Sequence, residues 1–247
     1  MRATTLPIPP TEGASPRTEP GPFLAGITED HLRCMQACLG LHACTFEKDE
    51  DILSCTGGPV TYGVLLSGAA LDVRRHPHGD RTLVDVIEPG DLFGEGWQTP
   101  RWGSAACPQE RAAVGAVPGT VLLLDPARLS DPAVACPAKA VVQNNLLRSV
   151  LEKQERLRAK LEILRHRSLR KRITNYLLVE AQRRGAQRRG AARFSIPLTR
   201  IELAQYLHAD RAALSRELAR MRTDGLIDYH RNSFVIPDPR AAALILD

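Results

Sequence analysis

The sequence predicts an α+β chain in two parts, a strand-rich N-terminal part and a helical C-terminal part that closes on a hairpin. Three observations carry this. From about Thr45 to Leu124, short apolar runs are broken by Gly, Pro and Asp, with turn signals roughly eight to twelve residues apart, the pattern of an all-β roll or barrel. From Lys139 to Arg165 there is neither Gly nor Pro, and apolar residues recur at helical spacing. The charge divides near the same place. Residues 1–147 carry 11 Lys+Arg against 17 Asp+Glu, and residues 148–247 carry 22 against 11. A basic C-terminal part behind an acidic N-terminal one suits a polyanion binder with a separate sensor in front. The 247 residues, 43% of them hydrophobic, suffice for two modest domains with cores of their own.

Residues 1–26 hold Pro7, Pro9, Pro10, Pro16, Pro20 and Pro22 and no apolar core, so they read as a disordered tail and not a secretory signal. No apolar run approaches the ~18 residues of a membrane span. The expected location is the cytoplasm, where the six cysteines are thiols, metal ligands or redox sensors and not stable disulfides. Residues 27–39 suit a short helix. Residues 62–68 and 69–73 suit strands, 76–79 a turn, 82–87 the returning strand, 88–91 another turn and 121–124 a last strand; together, residues 27–136 form a β-roll sensor domain.

After Pro137, residues 139–165 form a long helix with Val142, Leu146, Val150, Leu157, Leu161 and Leu164 along one seam, interrupted by Gln154. Such a stripe needs a cover, either the chain's own β-domain or a second copy of the same helix; its length and charged flanks favour the second copy, which makes 137–166 a dimerisation helix. Residues 169–183 form a further helix. It runs into a tandem Ala-Gln-Arg-Arg-Gly at 181–185 and 186–190, a basic extension whose arginines either meet phosphates or face solvent.

Residues 167–247 hold the most specific signal. Thr199 is placed to cap a helix, with Glu202 as its capping-box partner, and Ile201, Leu203, Ala204 and Leu207 give that helix an apolar face. Residues 208–210 form a tight turn, and Asp210 caps the next helix, residues 211–223. This second helix buries Leu214, Leu218 and Met221 and presents Arg211, Ser215 and Arg216. Two short helices about a tight turn are the helix-turn-helix layout. Gly225 stops the second helix, and residues 226–236 form a hairpin with Arg231-Asn232 at its tip, a wing. Arg bonds guanine O6 and N7 in a bidentate manner, so the exposed face carries the donors a major groove expects. The candidate DNA contacts are Thr199, Arg200, Gln205, Arg211, Ala212, Ser215, Arg216 and Arg231. The chain has no P-loop, G-x-S-x-G or HExxH motif, and its strands lack the histidines of a cupin-type metal enzyme, so no enzymatic activity is expected.

At this point the sequence resembles the Crp/Fnr transcription regulators. The likeness spans about residues 32–236 and is most specific over 196–234. Gly90-Asp-Leu-Phe-Gly-Glu95 is similar to the family's G-D-x-F-G-E run, and the long helix lies where the family dimerises. The resemblance implies a cyclic-nucleotide-binding-like β-roll (a double-stranded β-helix), a dimerisation helix and a winged helix-turn-helix. It also implies a homodimer on a palindromic double-stranded operator, with RNA polymerase as a partner if the protein activates, and no membrane. Arg211 and Arg216 match the family's recognition-helix arginines and Ser215 the serine of the Fnr branch, while Ala212 stands where a base-reading Glu is usual.

The resemblance also names effector candidates. Gly94 and Glu95 match the pair that holds a ribose, and Arg111 stands where an Arg-hydroxyl pair would hold a cyclic phosphate. Arg111 has no hydroxyl beside it and follows Glu110, which weakens any phosphate site. Oxygen-sensing Fnr proteins hold an iron–sulfur cluster with clustered N-terminal cysteines and a later one, and four thiolates are what such a cluster requires. Cys34, Cys38, Cys44 and Cys107 are the matching metal set, although no C-x2-C spacing occurs among them. Cys34 and Cys38, one helical turn apart, also suit simple packing or a thiol switch. His76 and His78 flank a turn proline and read as exposed. The signal therefore stays open between a small molecule, an iron–sulfur or thiol-based response to oxygen or nitric oxide, and a cyclic nucleotide.

Overall fold

The computed structural model describes residues 21–52, 62–76, 78–94, 111–186 and 190–246. The chain divides into two compact units, Met1–Gln154 and Glu155–Asp247. In the first, helix α1 (Glu29–Leu39) leads into an antiparallel sheet of β1 (His42–Phe46), β2 (Tyr62–Arg75), β3 (Arg81–Ile87), β4 (Leu92–Phe93) and β5 (Arg111–Leu124), and the short helix α2 (Pro126–Ser130) follows β5. The strand order is β1-β5-β2-β3, with β4 also paired to β2. β2 is one strand where the sequence suggested two. Register shifts between Leu65 and Ala70, around Gly68 at φ +84, keep the ladder going through bulges that bend the strand without ending it. β5 likewise begins ten residues before the expected 121, because Pro118 falls within such an irregular stretch, where a missing N–H is tolerated.

Alternation assigns the two faces. Leu65, Phe93, Val121 and Leu123 join a core with Phe46 and Ile87. Val64, Leu92, Leu122 and Leu124 face a second core with Met35 and Leu39 of α1 and Val142. With both faces covered, the end of β5 is a continuous apolar run. Gly63 permits the close approach of β4, since a Cβ there would lie 2.2 Å from the Phe93 ring. Thr28 and His31 form a capping box at the start of α1, and Gly40 ends it in the left-handed conformation at φ +68.

Two sequence expectations change. The tail does not extend to residue 26. Phe23, in a 3-10 turn at Pro22–Leu24, is fully buried, and the buried Asn145 Nδ2 donates to the carbonyls of Phe23 at 3.0 Å and Ala25 at 2.7 Å. The seam of the long helix α3 (Lys139–Arg165) is also displaced. Val142 is fully buried and Leu146 packs on the same core, so the start of the helix covers its own sheet. The exposed stripe runs instead through Leu147 (58%), Val150 (40%), Leu151 (51%), Leu157 (43%) and Leu161 (62%).

The second unit holds α4 (Leu169–Arg183), β6 (Ala192–Ser195), α5 (Arg200–Tyr206), α6 (Arg211–Thr223), β7 (Asp228–His230), β8 (Ser233–Ile236) and α7 (Pro239–Ala243). β7 and β8 are the expected wing. β6 was not expected; it pairs with β8 to make a three-stranded sheet, stacking Phe194 on Phe234 at 6.3 Å. Ile173, Leu177, Leu203, Leu207, Leu214 and Leu218 fill the interior. Among the described residues, no helix is long and apolar enough to cross a membrane.

Candidate functional site

The second unit is organised around α6. Asp210 caps it by accepting from the Ala213 amide at 2.8 Å. Thr199 and Glu202 close a capping box on α5, with the Glu202 carboxylate accepting from the Thr199 amide at 2.7 Å. The turn between the helices passes through His208 at φ +49, and Arg172 of α4 holds it by donating to the carbonyls of Leu207 at 2.5 Å and His208 at 3.0 Å. With Leu214 and Leu218 fully buried, helical geometry forces Arg211, Ala212, Ser215 and Arg216 outward, and all four are exposed. Arg211 and Arg216 have no ion pair among the described residues. The nearby acid does not neutralise them, because Glu217 is taken by Arg170 at 2.6 Å and Arg220 at 3.6 Å.

The other expected DNA contacts divide. Gln205 and Arg231 are exposed, Arg231 at φ +53 on the wing tip. Thr199 is occupied by its capping box. Arg200 donates to the Arg231 carbonyl at 3.0 Å and lies over the rings of Tyr229 and Phe234 at 5.0 and 5.7 Å; burial lowers its pKa. It ties α5 to the wing. In the tandem repeat, Arg183 and Arg184 pair with Glu180 at 2.7 and 3.0 Å, while Arg188 and Arg189 lie outside the described residues.

In the first unit, Gly94 turns the chain after β4 at φ +91, and Glu95, Cys107 and Glu110 lie outside the described residues. Arg111 is committed. Its Nε donates to Asp72 Oδ1 at 2.8 Å and its Nη2 to Asp72 Oδ2, a bidentate pair between β5 and β2. Among the described residues its partner is Asp72, 39 residues away in sequence; Glu110, which the sequence puts beside this guanidinium, lies outside them. Burial raises the Asp72 carboxyl above the usual carboxylate range, against the opposing pull of Arg111. The next residue, Ala112, is buried and offers no hydroxyl.

The cysteines rearrange more. Cys34 and Cys38, on α1, lie 3.8 Å apart at sulfur, and Cys136, just before α3, brings its sulfur to 3.1 Å from Cys34. All three sulfurs fall within 4.8 Å of one another. Cys44 is not in this group; it lies on β1 and packs on the other core. Cys136 was missed because 102 residues separate it from Cys34, and no local spacing signals the contact. The Cys34 thiol is shifted down, chiefly by a hydrogen bond with Cys136. Cys38 is shifted up, chiefly by its hydrogen bond with Cys34, and burial pushes Cys136 up to about 11.

A capped helix pair with a free donor face, a wing and a separate strand-rich unit is the architecture of a DNA-binding transcription regulator. Residues 171–241 match the Crp-like helix-turn-helix domain. A CRP-like cAMP-activated global transcriptional regulator of Mycobacterium tuberculosis is 30% identical over 183 residues, covering 73% of this chain and 77% of that protein. The chain therefore belongs to the Crp family of transcription regulators, whose members bind DNA and act as dimers. Solved structures share the fold. FixK2 from Bradyrhizobium japonicum is 20% identical, covers 83% of this chain and 96% of its own, and has a TM-score of 0.61. A CooA mutant from Carboxydothermus hydrogenoformans is 15% identical, with coverage of 84% and 88% and a TM-score of 0.64.

Proposed function

We propose that this regulator works in the cytoplasm as a homodimer, reading a two-fold-symmetric operator with one α6 per half-site. The observation that carries this reading is the free donor face of α6. Arg211, Ser215 and Arg216 project opposite fully buried Leu214 and Leu218, as a helix docked in a major groove requires. The exposed α3 stripe supports self-pairing, since an apolar row of that length is unfavourable in water. In the activating mode the dimer would also contact RNA polymerase. Arg216→Ala should cost about 1–3 kcal/mol on the specific site and little on random DNA. Equal losses on both in a competition binding assay would make Arg216 a phosphate contact and remove the support for base reading.

The signal enters through the first unit, and we assign it to something other than a cyclic nucleotide. The Mycobacterium relative is cAMP-activated by its name. Here the arginine available for a phosphate is held by Asp72 and followed by a buried alanine.

A further inference from the structure

We infer that Cys34, Cys38 and Cys136 form a three-thiolate site for a thiophilic d10 metal ion of the Zn2+ type, which joins α1 to the entry of α3. A four-coordinate zinc with Zn–S bonds of about 2.3 Å holds its sulfurs about 3.8 Å apart. The observed sulfurs are 3.8 Å apart for Cys34 and Cys38 and 3.1 Å for Cys34 and Cys136, with all three inside 4.8 Å. That spacing needs adjustments of about an ångström or less to take the ion. An iron–sulfur cubane places each thiolate on a different iron and needs the sulfurs farther apart. A disulfide needs them at about 2.05 Å.

The surroundings suit a preformed site. Cys34 and Cys38 sit on one face of a helix capped at both ends. Met35 and Leu39, beside them, are fully buried with Ala138 and Val142, just beyond Cys136, in one core. The Lys139 amide donates to the Cys136 carbonyl at 3.0 Å, which fixes the third ligand's backbone at the first turn of α3. All three cysteines are partly exposed, which leaves an entry path. Among the described residues these three are the whole donor group. Water or an exogenous ligand can complete the coordination, and each thiol that coordinates releases its proton to solvent. Thiolate softness selects Zn2+, or Cu+, over hard cations.

Metal binding is independent of the DNA-reading proposal, so each fails separately. The test uses the full chain, purified reduced and metal-free without oxygen and titrated with Co2+ as the probe. One equivalent per chain should give a thiolate-to-cobalt charge-transfer band that Zn2+ bleaches. Cys34→Ser, Cys38→Ser and Cys136→Ser should each lower Co2+ affinity at least ten-fold, and Cys44→Ser should not. Because loss of folding in a serine variant would also lower affinity, the wild type carries a second readout. Zn2+ should protect Cys34, Cys38 and Cys136 from alkylation but not Cys44, and should raise the melting temperature. Absence of the band, its survival in both Cys34→Ser and Cys136→Ser, or protection confined to other cysteines overturns the site. So does a Cys34–Cys136 disulfide formed on mild oxidation in a protein that binds no Co2+ when reduced.

Discussion

Arg216 and Arg111 show how the two units differ. Both stand where the family likeness places a ligand contact. Arg216 is exposed on α6 with no ion pair among the described residues, where Arg170 and Arg220 hold the nearby Glu217. Arg111 is folded into the sheet, bidentate to a carboxylate whose side chain is 2% exposed. A surface contact is decided by local rules, since three buried residues at helical spacing fix which side chains project. An interior site is decided by whatever the fold brings across from distant sequence. One arginine is left exposed on a helix face, and the other is a structural tie.

The largest effect should come from the exposed α3 stripe, through which the proposed dimer would bring two α6 helices together. Replacing Val150 and Leu157 with Asp should give monomers and lower operator affinity by about 100-fold or more, because linked half-sites owe that much to effective concentration. Both positions are exposed within one chain, so the folded protomer should survive. A variant that still sediments as a dimer would place the interface elsewhere and leave α3 without the role its apolar face suggests.

The Arg111 tie should be strong in stability and silent in DNA reading. Asp72→Ala removes the bidentate carboxylate from a mostly buried guanidinium, and breaking such a pair by removing one member costs about 3–5 kcal/mol. Chemical denaturation should show that loss in the first unit's transition, with specific operator binding by the remaining folded protein unchanged. A loss under 1 kcal/mol would mean that water replaces Asp72 easily, and the contrast with Arg216 would then collapse.

The division also explains what the sequence could show. Thr199, Glu202, Asp210 and the Leu214–Leu218 spacing predict α5 and α6 almost to the residue, because caps and helical periodicity act over a few positions. β6 escaped because a four-residue strand is specified by its partner, here β8 through Phe234 and Ser233, more than by its own residues. Ser67-Gly68 reads as a chain break and is a bulge, since only the pairing of β2 with β5 across it distinguishes the two. Cys136 and Asp72 were invisible as partners for the same reason. Val142 and Leu146 belong to the helical stripe by periodicity, yet the sheet beneath them claims that end of the helix.

The smallest expected effect is that of cyclic AMP, which should leave operator affinity unchanged. A cyclic phosphodiester enters a protein interior by exchanging its hydration for fixed cationic donors. To serve, Arg111 would have to leave Asp72, which would strand a buried carboxylate at a cost of several kcal/mol. Protonating Asp72 is the alternative, and its raised pKa lowers that cost without removing it. Ala112 supplies no compensating hydroxyl. A contact from Glu95 to a ribose hydroxyl, about 1 kcal/mol, falls short of either cost. Calorimetry on the full chain with cyclic AMP should therefore show no binding near 10 µM, a range that requires about −7 kcal/mol. Binding in that range together with tighter operator binding would mean that Arg111 exchanges partners, and the tie between β2 and β5 would then be the switch itself.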